Sequence, residues 1–168
     1  LQDMIKDLIA GIVMVFENSY NVGDYVKINN FIGTVIELGA KSTRIKSDTG
    51  EVKIINNGSI TEVINYSIYD LSVIVDIDVS YDSDLLKVQK VLNDFCKNVR
   101  KELEDVTDDI KLLGVQELKE SGISFRILAP VKPGSQYKVK RELNMLLKLE
   151  LDKNNIIIPY PHMVIANE

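Results

Sequence analysis

The sequence predicts an α+β fold in four parts. These are an N-terminal amphipathic helix over residues 1–19, a small strand-rich barrel over 20–66, a ferredoxin-like βαββαβ unit over 67–161 and an extended C-terminal strand over 162–168. Three observations predict it. Apolar residues recur at helical spacing from Leu1 to Phe16. Short β-rich runs broken by Asn, Gly and Asp follow. Two long helical stripes then alternate with runs of period two.

In the first segment Leu1, Met4, Ile5, Leu8, Ile9, Ile12, Val13 and Phe16 keep the i, i+3, i+4 rhythm without a gap. Gln2, Asp3, Lys6, Asp7, Ala10 and Gly11 fill the other face, polar first and then small. Such a helix either packs on a core or is made to meet lipid or other helices. Gly11 costs a helix interior about 1 kcal/mol relative to Ala, so it marks a bend or a close contact. No capping residue precedes the pattern and the first residue is Leu, which leads us to expect that the chain continues upstream. A spanning helix needs about 20 mostly apolar residues. This segment is shorter, carries Asp3, Lys6 and Asp7, and lacks the basic start and cleavage site of a secretory signal.

From Asn21 the period changes. Strands are expected at Tyr25–Ile28, Thr34–Leu38, Ser42–Ser47 and Glu51–Ile55, parted by Asn29-Asn30, Gly39 and Asp48-Thr49-Gly50, with a turn at Asn56-Asn57-Gly58. Several short strands at this spacing make a small barrel or a strongly bent sheet. A unit so small buries little core and leans on a neighbour.

The third part opens with Leu71–Val79, where Leu71, Val73, Val75, Ile77 and Val79 alternate with polar residues and Ile74. Ser83 or Asp84 then caps a helix whose apolar stripe is Leu85, Val88, Val91, Leu92, Phe95 and Val99. Strands Ile110–Leu118 and Ile123–Ala129 are joined at Glu120-Ser121-Gly122. A helix over Gln136–Leu151 turns Val139, Leu143, Leu146 and Leu147 inward, and Ile156–Ile158 makes the last strand. Pro159 and Pro161 then forbid ladder donation, so the apolar tail from Met163 leaves the sheet and needs a partner. Identical tails in a symmetric oligomer supply one. The expected oligomer contacts are Ile158, Pro159, Tyr160, Pro161, Met163, Val164 and Ile165.

Composition narrows the chemistry. The chain has 168 residues, 45% apolar and 27% charged, with one Cys, one His and a formal net charge of −5. A single cysteine excludes an intrachain disulfide and a Cys-based zinc cage. His162 has no nucleophile near it in sequence, and Cys96 borders a helical stripe as a half-buried, inert thiol. Tyr81-Asp82-Ser83-Asp84 resembles the start of a calcium loop but lacks its later Gly and Glu, so helix capping accounts for it. The acidic run from Glu102 to Asp109 reads as a solvated turn. There is no Gly-rich phosphate loop. We therefore expect no catalytic residues, no metal and no cofactor. Nucleic acid is not an expected partner either. Leu71–Val79 has no stacking aromatic, and the one tight basic group, Lys138, Lys140 and Arg141, is followed at once by Glu142.

An ordered set of strings carries a resemblance. Leu1-Gln2, Lys6-Asp7, Gly11, Phe16-Glu17 and Val22-Gly23-Asp24-Tyr25-Val26 are followed by Gly33-Thr34-Val35, Leu38-Gly39 and Thr43-Arg44-Ile45. Gly50-Glu51, Asn57-Gly58-Ser59-Ile60, Tyr81-Asp82-Ser83-Asp84 and Pro159-Tyr160-Pro161-His162 complete it. In this order and spacing the chain resembles the small-conductance mechanosensitive channel family over nearly its whole length. Asn56 stands where the family has Pro, and Lys41 where it has Arg or Gln. Asp3 replaces a glycine of some members, which leaves Gly11 as the pore-helix hinge.

The resemblance implies a homoheptameric channel of the bacterial cytoplasmic membrane that opens under tension and releases ions and small osmolytes on osmotic downshock. It implies that residues 1–19 are the lower half of a pore helix, reached by the bilayer through preceding transmembrane helices. The strand-rich barrel would be Sm-like, the ferredoxin-like unit the wall of a cytoplasmic vestibule, and the tail an oligomerisation strand. The expected partners are identical subunits, lipid, and permeating ions and osmolytes. An oligomeric ligand-sensing regulatory module is the alternative, because ferredoxin-like units also serve that role.

Overall fold

A computed structural model describes residues 2–17 and 19–161, apart from the side chains of residues 14–16. The chain divides between Tyr69 and Asp70 into two compact units.

The first unit is a helix, α1 (Gln2–Glu17), and one antiparallel five-stranded sheet. Its strands are β1 (Tyr25–Ile28), β2 (Phe31–Leu38), β3 (Ser42–Lys46), β4 (Val52–Asn56) and β5 (Val63–Asn65), in the spatial order β4-β3-β2-β1-β5. The β1–β2 hairpin closes over two residues, with Ile28 opposite Phe31, because Asn29 accepts a φ of 53°. A bulge between Val35 and Glu37 bends β2 against β3. The inner face closes on a small core of Tyr20, Val26, Ile28, Val35, Ile45 and Ile55. The fifth strand, β5, is absent from the sequence-based strand list. Three residues are too short to show a period, and only pairing with β1 defines the strand.

The second unit is a three-stranded antiparallel sheet with two helices on one face. Its elements are β6 (Leu71–Val79), α2 (Leu85–Val99), β7 (Lys111–Leu118), β8 (Ile123–Val131) and α3 (Gln136–Lys153), with β8 between the other two strands. Asp84 caps α2 by accepting from the amides of Leu86 (3.0 Å) and Lys87 (3.2 Å). The core runs from Val73, Val75 and Val79 through Phe125 and Ile127 to Leu92, Leu143 and Leu147. Leu85, placed in the apolar stripe by spacing, is exposed on the first turn of α2.

The strand expected at Ile156–Ile158 does not form. α3 ends in a Schellman motif. Asn155 takes the left-handed conformation (φ 57°) and donates to Asp152 O, while Ile156 N donates to Leu151 O at 2.9 Å. Ile156 is thereby spent as the hydrophobic closure of the helix end, buried beside Leu151. A single bond, Ser80 N to Ile157 O at 3.0 Å, ties the segment to the end of β6. Among the described residues the second unit is therefore β-α-β-β-α without its sixth element.

The sheet face away from the helices carries a cross-strand ion pair. Arg126 on β8 donates through Nε and Nη2 to the two carboxylate oxygens of Asp76 on β6, at 2.7 and 2.8 Å. The hydrogen bond from Arg126 and its charge hold the Asp76 carboxyl below the usual carboxylate range. A depressed folded pKa gives stability that is present at neutral pH and lost as pH falls through that pKa. Arg126→Met should lower stability only modestly near neutrality, because the pair is partly exposed to solvent. Urea melts of the two proteins should converge below the depressed Asp76 pKa.

Cys96 is buried on α2, deeper than its place at the stripe edge predicts. Burial pushes its thiol up to about 11. A thiol reagent at pH 8 should label the folded protein at least about a hundredfold more slowly than the urea-unfolded chain.

Candidate functional site

The distinctive site is the seat of α1, and it begins with the side chains on the polar and small face of the helix. Asp7 is 6% exposed, unusual for a carboxylate on a surface helix. Its Oδ1 accepts the backbone amide of Gly58 at 2.8 Å. One turn later, Gly11 lies against the same turn of the sheet. A Cβ at Gly11 would stand 2.6 Å from Ala40 O and 2.6 Å from Asn57 Nδ2. Gly58 is equally tight, since a Cβ there would stand 2.5 Å from Asp7 Oδ1. Two glycines, one on each side, let helix and turn approach closely enough for a charged hydrogen bond to form.

Beneath this contact lies a buried polar network. Asn57 Nδ2 donates to Gly39 O (3.0 Å) and Ala40 O (3.1 Å), and its Oδ1 accepts from Thr43 Oγ1 at 3.0 Å. Thr43 Oγ1 is also 3.0 Å from the hydroxyl of Tyr20. Tyr20, Thr43 and Asn57 are all buried. Burial raises the Tyr20 phenol above its ordinary value, against a smaller opposing effect of its bond to Thr43. Satisfied buried polar groups of this kind hold one geometry, because every alternative leaves a desolvated donor or acceptor unpaired. The network ties the turn under the helix and Tyr20, three residues past the helix end, to the same strand.

The outer face of α1 is the reverse of a core-packed helix. Met4, Ile5, Leu8, Ile9, Ile12 and Val13 are 44% to 63% exposed. The reading of α1 as a core helix is thus set aside: the helix sits on its unit by Asp7 and Gly11 and turns its apolar stripe away from it. Burying the open half of each such side chain is worth about 1 kcal/mol, so the stripe amounts to several kcal/mol of unused apolar burial.

Gly11, the expected hinge, lies inside α1, which runs unbroken through it. Of the expected oligomer contacts, Ile158 packs against the second unit's core, Pro159 is half-buried, and Tyr160 and Pro161 are exposed. His162, Met163, Val164 and Ile165 lie outside the described residues, as does the C-terminal strand over 162–168. Among the described residues, no group of three or more His, Cys, Asp or Glu side chains is placed to hold a metal ion. No described helix is long and apolar enough to cross a membrane.

Sequence reasoning passed over Asp7, Asn57 and Gly58 as structural partners. The faint signal was there: a lone carboxylate one turn before a glycine, and an Asn-Gly pair elsewhere. An amphipathic pattern tells which face is apolar, but not which face is covered.

Comparison with known proteins places these features. The family described as mechanosensitive ion channel, beta-domain, matches residues 3–68, and that described as mechanosensitive ion channel MscS, C-terminal, matches residues 73–158. A small-conductance mechanosensitive channel of Caldanaerobacter subterraneus is 32% identical over 98% of this chain, which spans 58% of that relative's length. The MscS family protein YfkC of Bacillus subtilis is 29% identical over 92% of the chain and 60% of its own length. The closed-state crystal structure of Helicobacter pylori MscS superposes on the whole chain with a TM-score of 0.86 at 24% identity, covering 67% of that structure's chain. At that identity the superposition speaks for the fold, a mixed α/β arrangement with antiparallel sheets.

Proposed function

We propose a function that proceeds from family membership: the chain belongs to the MscS family of mechanosensitive ion channels, a family of channels and not of enzymes. The chain is the part of such a channel that hangs on the cytoplasmic side of the bacterial inner membrane. Residues 1–19 are the lower half of the pore helix, 20–66 an Sm-like domain, 67–161 a ferredoxin-like vestibule wall, and 162–168 an oligomerisation strand. Identical subunits, seven in number, close a ring around a water-filled chamber. Tension in the bilayer favours the state of larger in-plane area. Ions and small osmolytes then leave through the vestibule on osmotic downshock.

The observation that carries this reading is the inverted seating of α1. A helix that keeps its acidic and small residues for its own domain, and shows Met4, Ile5, Leu8, Ile9 and Ile12 outward, is built for an apolar partner outside that domain. In a ring around a membrane pore, lipid and neighbouring helices supply it. The Asp7–Gly58 bond and the Gly11 contact are then the points at which movement of the helix reaches the β-domain.

Residues 1–66 carry 6 basic and 8 acidic side chains and residues 67–168 carry 14 and 17; this negative balance predicts a mild cation preference, and reversal potentials in a salt gradient that show anion preference would count against it. The full-length protein, expressed in cells stripped of their own mechanosensitive channels, should restore survival of abrupt dilution. Membrane expression without rescue would contradict the reading.

A further inference from the structure

After α3 the chain runs through Ile156–Pro161, where Pro159 and Pro161 have no amide to give to a ladder. Packing must therefore set the direction of departure. The seat is the tip of the β7–β8 hairpin. A Cβ at Gly122 would stand 2.7 Å from Pro159 Cγ and 2.7 Å from Val79 O, so a glycine is what lets the proline ring and the last carbonyl of β6 close on the hairpin together. The tip is itself pinned. Lys119 N donates to Gly122 O at 2.8 Å, Tyr81 OH donates to Lys119 O at 2.7 Å, and Lys119 Nζ pairs with Asp78 at 3.0 Å. Two residues before the ring, Ser80 N donates to Ile157 O. Beyond the seat, Tyr160 is 82% exposed and Pro161 is exposed.

We propose that Gly122 is a positioning residue for assembly: by seating Pro159 it fixes the path on which each subunit delivers its C-terminal tail to the other copies. The inference rests on the reading of residues 162–168 as an oligomerisation strand. A closed ring needs every subunit to present the same exit direction, since an angular error in one is repeated in all. A seat that adds the packing of Pro159 to the one backbone bond at Ile157 meets that need where two prolines bar a ladder.

The test uses the full-length protein in detergent, with oligomer mass followed by light scattering through a dilution series. Gly122→Ala and Pro159→Ala should each raise the concentration at which half the oligomer dissociates by about tenfold, a mid-range value for residues in contact. The double variant should do no more than the larger single effect, because each change breaks the same contact. Pro159→Ala should leave the thermal midpoint of the subunit unchanged, which separates positioning from folding. Independent, multiplying effects, or no effect of either change, would overturn the proposal. The pair Val164→Asp and Ile165→Asp tests the reading beneath it. If those changes dissociate the oligomer while Gly122→Ala and Pro159→Ala do not, the seat is refuted and the tail reading stands. If they leave the oligomer intact, the tail reading fails and the seat with it.

Discussion

Gly11→Leu should lift α1 from its seat and leave the sheet beneath it folded. The substitution gains about 0.8 kcal/mol of helix propensity, so a helix-limited contact would be improved by it. The geometry decides the other way. A Cβ alone would stand 2.6 Å from a backbone carbonyl, Ala40 O, which cannot rotate away, and 2.6 Å from Asn57 Nδ2, which already serves two carbonyls. The rest of the leucine side chain has no room in the same gap. Overpacking of this kind costs about 1–3 kcal/mol or separates the parts. Separation is the cheaper course, because the helix gives up one bond, Asp7 to Gly58, while the five-stranded sheet keeps all of its own. Hydrogen exchange at the Gly58 amide reads the outcome directly. Its rate should rise by about tenfold or more, with protection in β2 and β3 unchanged. In the full channel the same variant should shift the tension at which half the channels open.

The second large effect is its mirror image. Ile5→Glu, Ile9→Glu and Ile12→Glu together should leave the exchange rate of Gly58 and the stability of the first unit near wild type. All three side chains point away from the unit, and exposed substitutions stay within about 0.5 kcal/mol each. Channel activity should nevertheless be lost. A carboxylate placed against lipid or a neighbouring helix costs about 2.5–3.5 kcal/mol where burial is deep and less near the interface, so three of them exceed what the exposed stripe can return. In the proposed channel one face of α1 answers to the fold and the other to the assembly, and the two variants separate them.

Much of this was legible in the residues. Apart from Leu85, the stripes of α2 and α3, the Asp84 cap and the Asn29-Asn30 hairpin follow from local rules of spacing and turn chemistry, which the tertiary fold did not override. Two failures have different causes. Ile156–Ile158 reads as a strand by composition, yet the αL residue Asn155 and the demand of α3 for a hydrophobic closure claim Ile156 first. Val63–Asn65 reads as nothing and becomes an edge strand because β1 offers it a ladder. The first is decided locally, by the end of α3, and the second by a strand distant in sequence. The seat of α1 was hidden for the second reason. Asp7 looks like any solvated acid until Gly58, far along the chain, brings an amide to it. Gly11 was singled out by its cost to the helix, and that cost is offset by an approach only a glycine permits.

The central claim is that α1 grips its own domain by its polar face so that its apolar face can answer the membrane. The most direct measurement is current through patches holding the full-length protein while suction is raised stepwise. Wild-type channels should open at a reproducible tension, Gly11→Leu should move that tension, and the triple glutamate variant should stay silent. Currents that ignore suction, or a triple variant that gates like wild type, would contradict it.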